Sequence, residues 1–149
     1  MNRIRVGLVG TGIGRSHAVA YRSLPELFEL AAICDIDETR ARSLADEVQA
    51  KHVVNSLDAL CALDDIDVID ICTPPNLHIP QALQALAAGK HVIVEKPLAA
   101  SLQDADKLIA AEASSDRRVM PIFQYRFGHG LQKLRPVSYT HLTLPTNRE

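Results

Sequence analysis

A doubly wound α/β domain on a parallel sheet is what this sequence predicts. Three observations lead there. Short apolar runs bounded by turn residues recur from the fourth residue onward, segments of helical period separate them, and a glycine cluster follows the first run directly. Continuous apolar runs suit strands buried on both faces. Their alternation with helical segments calls for right-handed crossovers between parallel strands. Size agrees, since 149 residues make about one domain, and a two-domain enzyme would not fit.

In order, the first run is Ile4–Val9, ended by Gly10. Phe28–Cys34 follows Pro25 and stops at Asp35-Ile36-Asp37. A weaker run covers His52–Val54. The run 68–72 ends at Thr73-Pro74-Pro75, and His91–Val94 ends at Glu95-Lys96-Pro97. The last, 119–123, follows the polar stretch 114–118. Between them, Ala41, Leu44, Ala45 and Val48 fall at i, i+3, i+4 and i+7, as do Ile79, Ala82, Leu83 and Leu86. The second stripe ends at Ala88-Gly89-Lys90, a helix stop with glycine just past the last turn. Ser101 is placed to cap a helix carrying Leu102, Ala105, Leu108 and Ile109 on one face.

Composition narrows the function classes. Apolar residues make up 47% and charged residues 23%, enough for a core and against disorder. A net charge of −2 argues against a nucleic-acid or membrane-surface binder. No apolar run approaches a bilayer span, and Met1-Asn2-Arg3-Ile4-Arg5 is not followed by a signal-peptide region. Aromatics at 4% with no Trp leave no base-stacking platform. Cys34, Cys61 and Cys72 are odd in number, lie in apolar stretches and lack metal-ligand spacing. They are expected to be reduced core residues of a cytoplasmic protein, with no metal site.

Ligands of an open parallel sheet bind outside the carboxyl ends of its strands, so the residues that follow each run carry the chemistry. After the first come Gly10, Thr11, Gly12, Ile13, Gly14, Arg15, Ser16 and His17. Glycines at a strand-to-helix turn let the backbone approach a pyrophosphate, which the helix N–H groups then receive. The spacing departs from G-x-G-x-x-G, because Arg15 takes the third position and Gly14 falls one residue early. Gly14 is expected to give the close helix contact and Arg15 to lie near the phosphates. The competing reading is a tight turn without a ligand.

Asp35, 25 positions after Gly10, suits the acid that accepts from a ribose hydroxyl; the alternative is a helix cap, a role Asp37 can fill instead. Asp35 with Ile36 after it favours NAD over NADP, since the carboxylate repels a 2′-phosphate. Thr73, Pro74, Pro75 and Asn76 form a rigid turn with few backbone donors, and Asn76 and His78 cluster where a nicotinamide would lie. A helix-start role is the alternative for His78. Glu95-Lys96-Pro97 puts two opposite charges directly after a buried strand, which is costly unless they are paired or solvated in a cleft. The bland reading is a Glu–Lys pair capping the strand.

The ordered set Gly10-Thr11-Gly12-Ile13-Gly14-Arg15-Ser16-His17, Cys34-Asp35, Thr73-Pro74-Pro75-Asn76-Leu77-His78 and Glu95-Lys96-Pro97-Leu98, extending through Gln124-Tyr125-Arg126-Phe127, resembles the glucose–fructose oxidoreductase/inositol dehydrogenase/MocA family. The resemblance covers residues 3 to about 135, the family's nucleotide-binding domain. It implies a Rossmann fold over 1–125 that binds NAD or NADP, and hydride transfer at the alcohol carbon of a sugar, inositol or related polyol. It implies that Lys96 positions or activates the reacting hydroxyl, that Glu95 contacts the nicotinamide ribose, and that Gln124 and Arg126 belong to the cofactor-binding set. Tyr125-Arg126 would lie where a second α/β domain begins, with 126–136 as the start of the connecting segment. That domain carries the family's catalytic Asp and His and its oligomer contacts, and it is expected to be missing here, leaving the fragment inactive alone.

A non-catalytic dinucleotide-binding module, such as a redox sensor, is the competing class. Glu95-Lys96-Pro97 speaks for the enzyme, because a sensor needs no lysine at the hydride-transfer face. Residues 137–149 are expected to lie outside the natural protein. Residues 137–146 back-translate to a string that resembles the transposase mosaic-end adapter of sequencing libraries, read in frame. A genuine interdomain strand over 138–144 is the alternative, since Tyr and Thr favour strands.

Overall fold

Apolar residues run without alternation along these strands because helices cover both faces of the sheet they form. The computed structural model describes residues 3–133. In chain order the elements are β1 (Ile4–Val9), α1 (Thr11–Arg22), β2 (Phe28–Cys34), α2 (Glu38–Val48), β3 (His52–Val54), α3 (Leu57–Cys61), β4 (Val68–Ile71), α4 (Pro75–Ala87), β5 (His91–Val94), α5 (Leu102–Ala113) and β6 (Val119–Pro121), followed by a single 3-10 turn at Gln124–Phe127. The strands lie in the order β3-β2-β1-β4-β5-β6 with every neighbouring pair parallel. This is the expected doubly wound, Rossmann-type α/β fold.

Two cores flank the sheet. On one face, Ala18 of α1 and Ala41, Leu44 and Ala45 of α2 pack on Val6, Leu8, Leu30 and Ile33. On the other, α3, α4 and α5 cover Val9, Ile69, Ile71, Val92 and Val94. A bulge between Val6 and Gly7 sets Ala31 out of register, so Leu30 and Ile33 reach the same face though three residues apart.

The chain reverses its direction of travel across the sheet between β3 and β4. Connections from the neighbouring strands β1 and β4 therefore leave to opposite faces, and a crevice opens at their carboxyl ends. The ladder continues past the strand ends there. Gly10 N–H donates to Cys34 O (2.8 Å), Cys72 N–H to Val9 O (2.8 Å) and Glu95 N–H to Ile71 O (3.0 Å). Those bonds hold the ligand-facing turns side by side.

Local signals explain most element boundaries. Asp37 accepts from Arg40 N–H at the start of α2, and Ser101 from Asp104 N–H at the start of α5. Past α4, Gly89 turns at φ 73° and lets Lys90 N–H reach Ala85 O at 3.0 Å.

Four expectations need correction. Helix α3 was not anticipated; Ser56 caps it and Leu57 and Leu60 anchor it. β4 stops at Ile71 rather than 72, and β6 at Pro121 rather than 123. The proposed stripe on α5 is mostly uncovered: Leu102 is 86% exposed and Ile109 61%, and Leu108 alone of the four is buried. The expectations for 134–136 and for the tail 137–149 lie outside the described residues. Among the described residues, no helix is long and apolar enough to cross a membrane.

Candidate functional site

The glycine turn closes the amino end of α1 against β4. Gly10 has φ 91°, and a Cβ there would sit 2.7 Å from Cys72 O, so strand end and turn meet at a distance only glycine allows. A Cβ on Gly14 would lie 2.9 Å from Leu8 Cδ2, which is where α1 seats on β1. Gly12 differs, because a Cβ added there meets nothing within 4 Å. It borders open space. Helix α1 has no side-chain cap and no acidic residue in its first turn. Beyond Thr11, whose N–H Asp35 takes, the first N–H groups of α1 have no side-chain cap, which suits an anion. A cavity of about 460 Å³ lies in front, lined by Gly10, Thr11 and Gly12, by Asp35 and Ile36, by Asn55 and Ser56, and by Thr73 and Pro74.

Asp35 holds this turn to the end of β2. Its Oδ2 accepts from Thr11 N–H (2.8 Å) and Thr11 Oγ1–H (2.6 Å), and its Oδ1 from Asp37 N–H (2.9 Å) and the Arg40 guanidinium (3.2 Å). Burial opposes the charge, yet the bonds from Thr11 and Asp37 and the nearby Arg40 outweigh it and keep the carboxyl below its ordinary range. Four donors fill a carboxylate. Arg40, 58% exposed, is the one of the four that a ribose diol can displace.

The turn after β4 places Thr73 and Pro74 on the cavity, and the Thr73 hydroxyl donates to Gln81 Oε1 at 2.5 Å. Asn76 is exposed at the start of α4, away from the cavity wall. His78 is 1% exposed, and its ring nitrogens lie 2.8 Å from Pro97 O and 2.8 Å from Thr73 O. It faces neither cavity nor solvent. Those two contacts tie the turn after β4 to the loop after β5.

Glu95 and Lys96 do not form the ion pair of the bland reading. Glu95, 6% exposed, accepts Lys96 N–H through Oε2 at 2.8 Å and meets His17 Nε2 through Oε1 at 3.1 Å. The Lys96 side chain is exposed, and its ammonium has no carboxylate partner among the described residues.

Sequence reasoning missed the network behind this turn. His17 Nδ1 lies 2.8 Å from Asp70 Oδ2, which also accepts Tyr21 O–H at 2.8 Å. Its hydrogen bond to Asp70 raises His17 above the ordinary imidazole value, burial opposes this, and Glu95 adds to the rise. Burial, with Asp70 alongside, pushes up both the Tyr21 hydroxyl and the Cys72 thiol. A signal was available. A carboxylate inside the apolar run Val68-Ile69-Asp70-Ile71 needs a buried partner.

The remaining candidates are less central. Ile13 is 52% exposed on the first turn of α1. Arg15 points to α2 and pairs with Glu47, and it does not line the main cavity. Gln124 and Arg126 sit on an exposed turn next to the end of β5, where Ile122 N–H donates to Val94 O at 2.8 Å; neither lines the cavity.

Comparison with known proteins adds to this geometry. Residues 4–123 match the GFO_IDH_MocA family model, described as an oxidoreductase family with an NAD-binding Rossmann fold. Inositol 2-dehydrogenase 3 of Saccharopolyspora erythraea is 31% identical over 134 residues, covering 89% of this chain and 39% of that protein. The structure of the WlbA dehydrogenase from Bordetella pertussis, in complex with NADH and UDP-GlcNAcA, superposes with a TM-score of 0.88 at 29% identity, over 93% of this chain and 42% of that one. A 3-ketoreductase from Actinomadura kijaniata, in complex with TDP-benzene and NADP, gives 0.84 at 29% identity, over 93% and 42%. The chain thus spans about two fifths of the length of these relatives.

Proposed function

The chain belongs to the glucose–fructose oxidoreductase/inositol dehydrogenase/MocA oxidoreductase family through its NAD-binding Rossmann domain, and on that premise we propose that it is the nucleotide-binding part of an enzyme that transfers a hydride to or from the alcohol carbon of a sugar, inositol or related polyol. The observation that carries this reading is the exposed Lys96, without a carboxylate partner among the described residues, directly beside a buried Glu95 at the carboxyl end of β5. A purely structural charge pair would join the two side chains, and here Glu95 turns inward to His17 instead.

The nicotinamide, when bound, supplies the hydride acceptor or donor. The chain's own residues do the rest. The open space at Gly12 and the uncapped amino end of α1 receive the pyrophosphate. Asp35 accepts from the adenosine ribose hydroxyls once Arg40 gives way, and its charge favours NAD over NADP. Thr73 and Pro74 line the path between the two ends of the cofactor. Glu95 contacts the nicotinamide ribose, and Lys96 Nζ holds the reacting hydroxyl and moves its proton. Relatives named for inositol or complexed with a sugar nucleotide support a polyol-type substrate.

Replacing Lys96 with Ala in the whole enzyme tests this. Turnover is expected to fall by about 10²-fold or more, with NADH affinity unchanged, because the lysine acts on the reacting hydroxyl. Undiminished turnover would take Lys96 out of the chemistry and leave it a structural role at the end of β5.

A further inference from the structure

Asp70 is fully buried on β4, inside the sheet, where an unpaired carboxylate is strongly unfavourable. Glu95, at the end of β5, is almost as deep. The His17 ring lies between them, with Nδ1 2.8 Å from Asp70 Oδ2 and Nε2 3.1 Å from Glu95 Oε1. Carboxylates only accept hydrogen bonds. Both contacts are therefore satisfied together, with both acids ionised, only when each ring nitrogen carries a proton. A neutral ring would turn a lone pair onto one buried carboxylate.

The groups facing the ring can be named element by element. Asp70 and Cys72 come from β4 and its end, Glu95 from the end of β5, and Tyr21 from α1 itself, where it donates to Asp70. Among the described residues no lysine or arginine pairs with Asp70 or Glu95, so the ring is their countercharge. Nδ1 of His17, the Asp70 carboxylate and Sγ of Cys72 also lie within 4.8 Å of one another. Their mutual hydrogen bonds account for that approach.

We propose that His17, protonated on both ring nitrogens, is a positioning residue for the reaction, clamping Glu95 and the Lys96 turn to the helix that begins at the pyrophosphate turn. The clamp rests on the function proposed above for Lys96. Its path is short. Glu95 receives His17 on Oε1 and Lys96 N–H on Oε2, so fixing one carboxylate orientation fixes the backbone that carries the lysine. Helix α1 bears the anion-facing turn at Gly12 and the clamp at His17, which makes phosphate binding and lysine placement one rigid unit. Loss of a ring proton at high pH releases the longer contact, to Glu95, and with it the Lys96 turn.

Nitrogen NMR on the full 149-residue chain tests this without cofactor, across about pH 6 to about pH 10. His17 is expected to show two protonated ring nitrogens at neutral pH and to titrate above the ordinary imidazole value, with the Lys96 amide shifting at the same midpoint. That Lys96 midpoint should vanish in His17→Gln. Tyr21→Phe, which keeps the ring but removes a donor from Asp70, should move both midpoints upward in step. A merely structural His17 would change stability without giving Lys96 its midpoint. A neutral His17 ring at pH 7, or a Lys96 amide indifferent to the His17 midpoint, overturns the proposal. NADH titration of the same samples separates the two readings: coupled titration without NADH binding supports the clamp and overturns the proposed function alone.

Discussion

Gly10 and Gly12 are two residues apart and should answer the same substitution in opposite ways. An Ala at Gly10 takes a positive φ and drives its Cβ to 2.7 Å from Cys72 O, so Gly10→Ala should lower stability by about 2 kcal/mol in urea titrations. Gly12→Ala meets no atom within 4 Å and improves helix propensity, so stability should hold or rise by up to about 1 kcal/mol. NADH affinity should nonetheless drop by roughly tenfold or more, about 1.4 kcal/mol, because the methyl occupies space assigned to the pyrophosphate. Intact affinity in that variant would remove the turn from the site. Asp35→Ser frees Arg40 and deletes the charge that opposes a 2′-phosphate, so the preference for NADH over NADPH should be lost. Paired titrations with the two cofactors read this directly. His17 adds a pH signature. Its folded-state value is raised, so the stability it contributes is full below the unfolded value of about 6.5 and is lost as pH rises through the folded value. Urea midpoints should decline on the alkaline side in the unmodified chain and stay flatter in His17→Gln. Parallel profiles would remove the charged ring from the account.

Ser101 shows how far an element can be read from its ends. Its hydroxyl accepts Asp104 N–H, and Ser101→Ala should cost about 1 kcal/mol in the same urea assay with no change in cofactor affinity. Capping and periodicity together made α2, α4 and α5 legible, and unbroken apolar runs did the same for β1, β2 and β5. Where those signals thin out, reading failed for physical reasons. Helix α3 is five residues long and offers only Leu57 and Leu60 as a stripe, too little for a period to emerge. On α5, spacing put Leu102 on the apolar face, but it is the first helical residue and stays exposed, leaving Leu108 as the buried residue of the helix. Arg15 fell at a glycine's position in the motif, which says nothing about the direction of its side chain; Glu47 on α2 decides that. The tripeptide Glu95-Lys96-Pro97 was visible as a local oddity. Its actual partner lies 78 positions earlier, at His17, a distance no local pattern reports.

Across the whole molecule, the order β3-β2-β1-β4-β5-β6 gathers every candidate turn along one edge, with the reversal between β1 and β4 at its centre. Motifs spread from residue 10 to residue 96 thereby share the carboxyl end of one sheet. Strand order, unlike strand position, was legible only through the family resemblance, because nothing in an apolar run specifies its neighbour. Amide NMR during NADH titration of the chain shows whether this edge receives NAD. The expected result is a saturable set of shifts at Gly10 to Gly14, Asp35, Thr73 and Glu95-Lys96, reached at lower concentration with NADH than with NADPH. Saturable shifts confined to other parts of the sheet, or none at these turns at any NADH concentration, would contradict it.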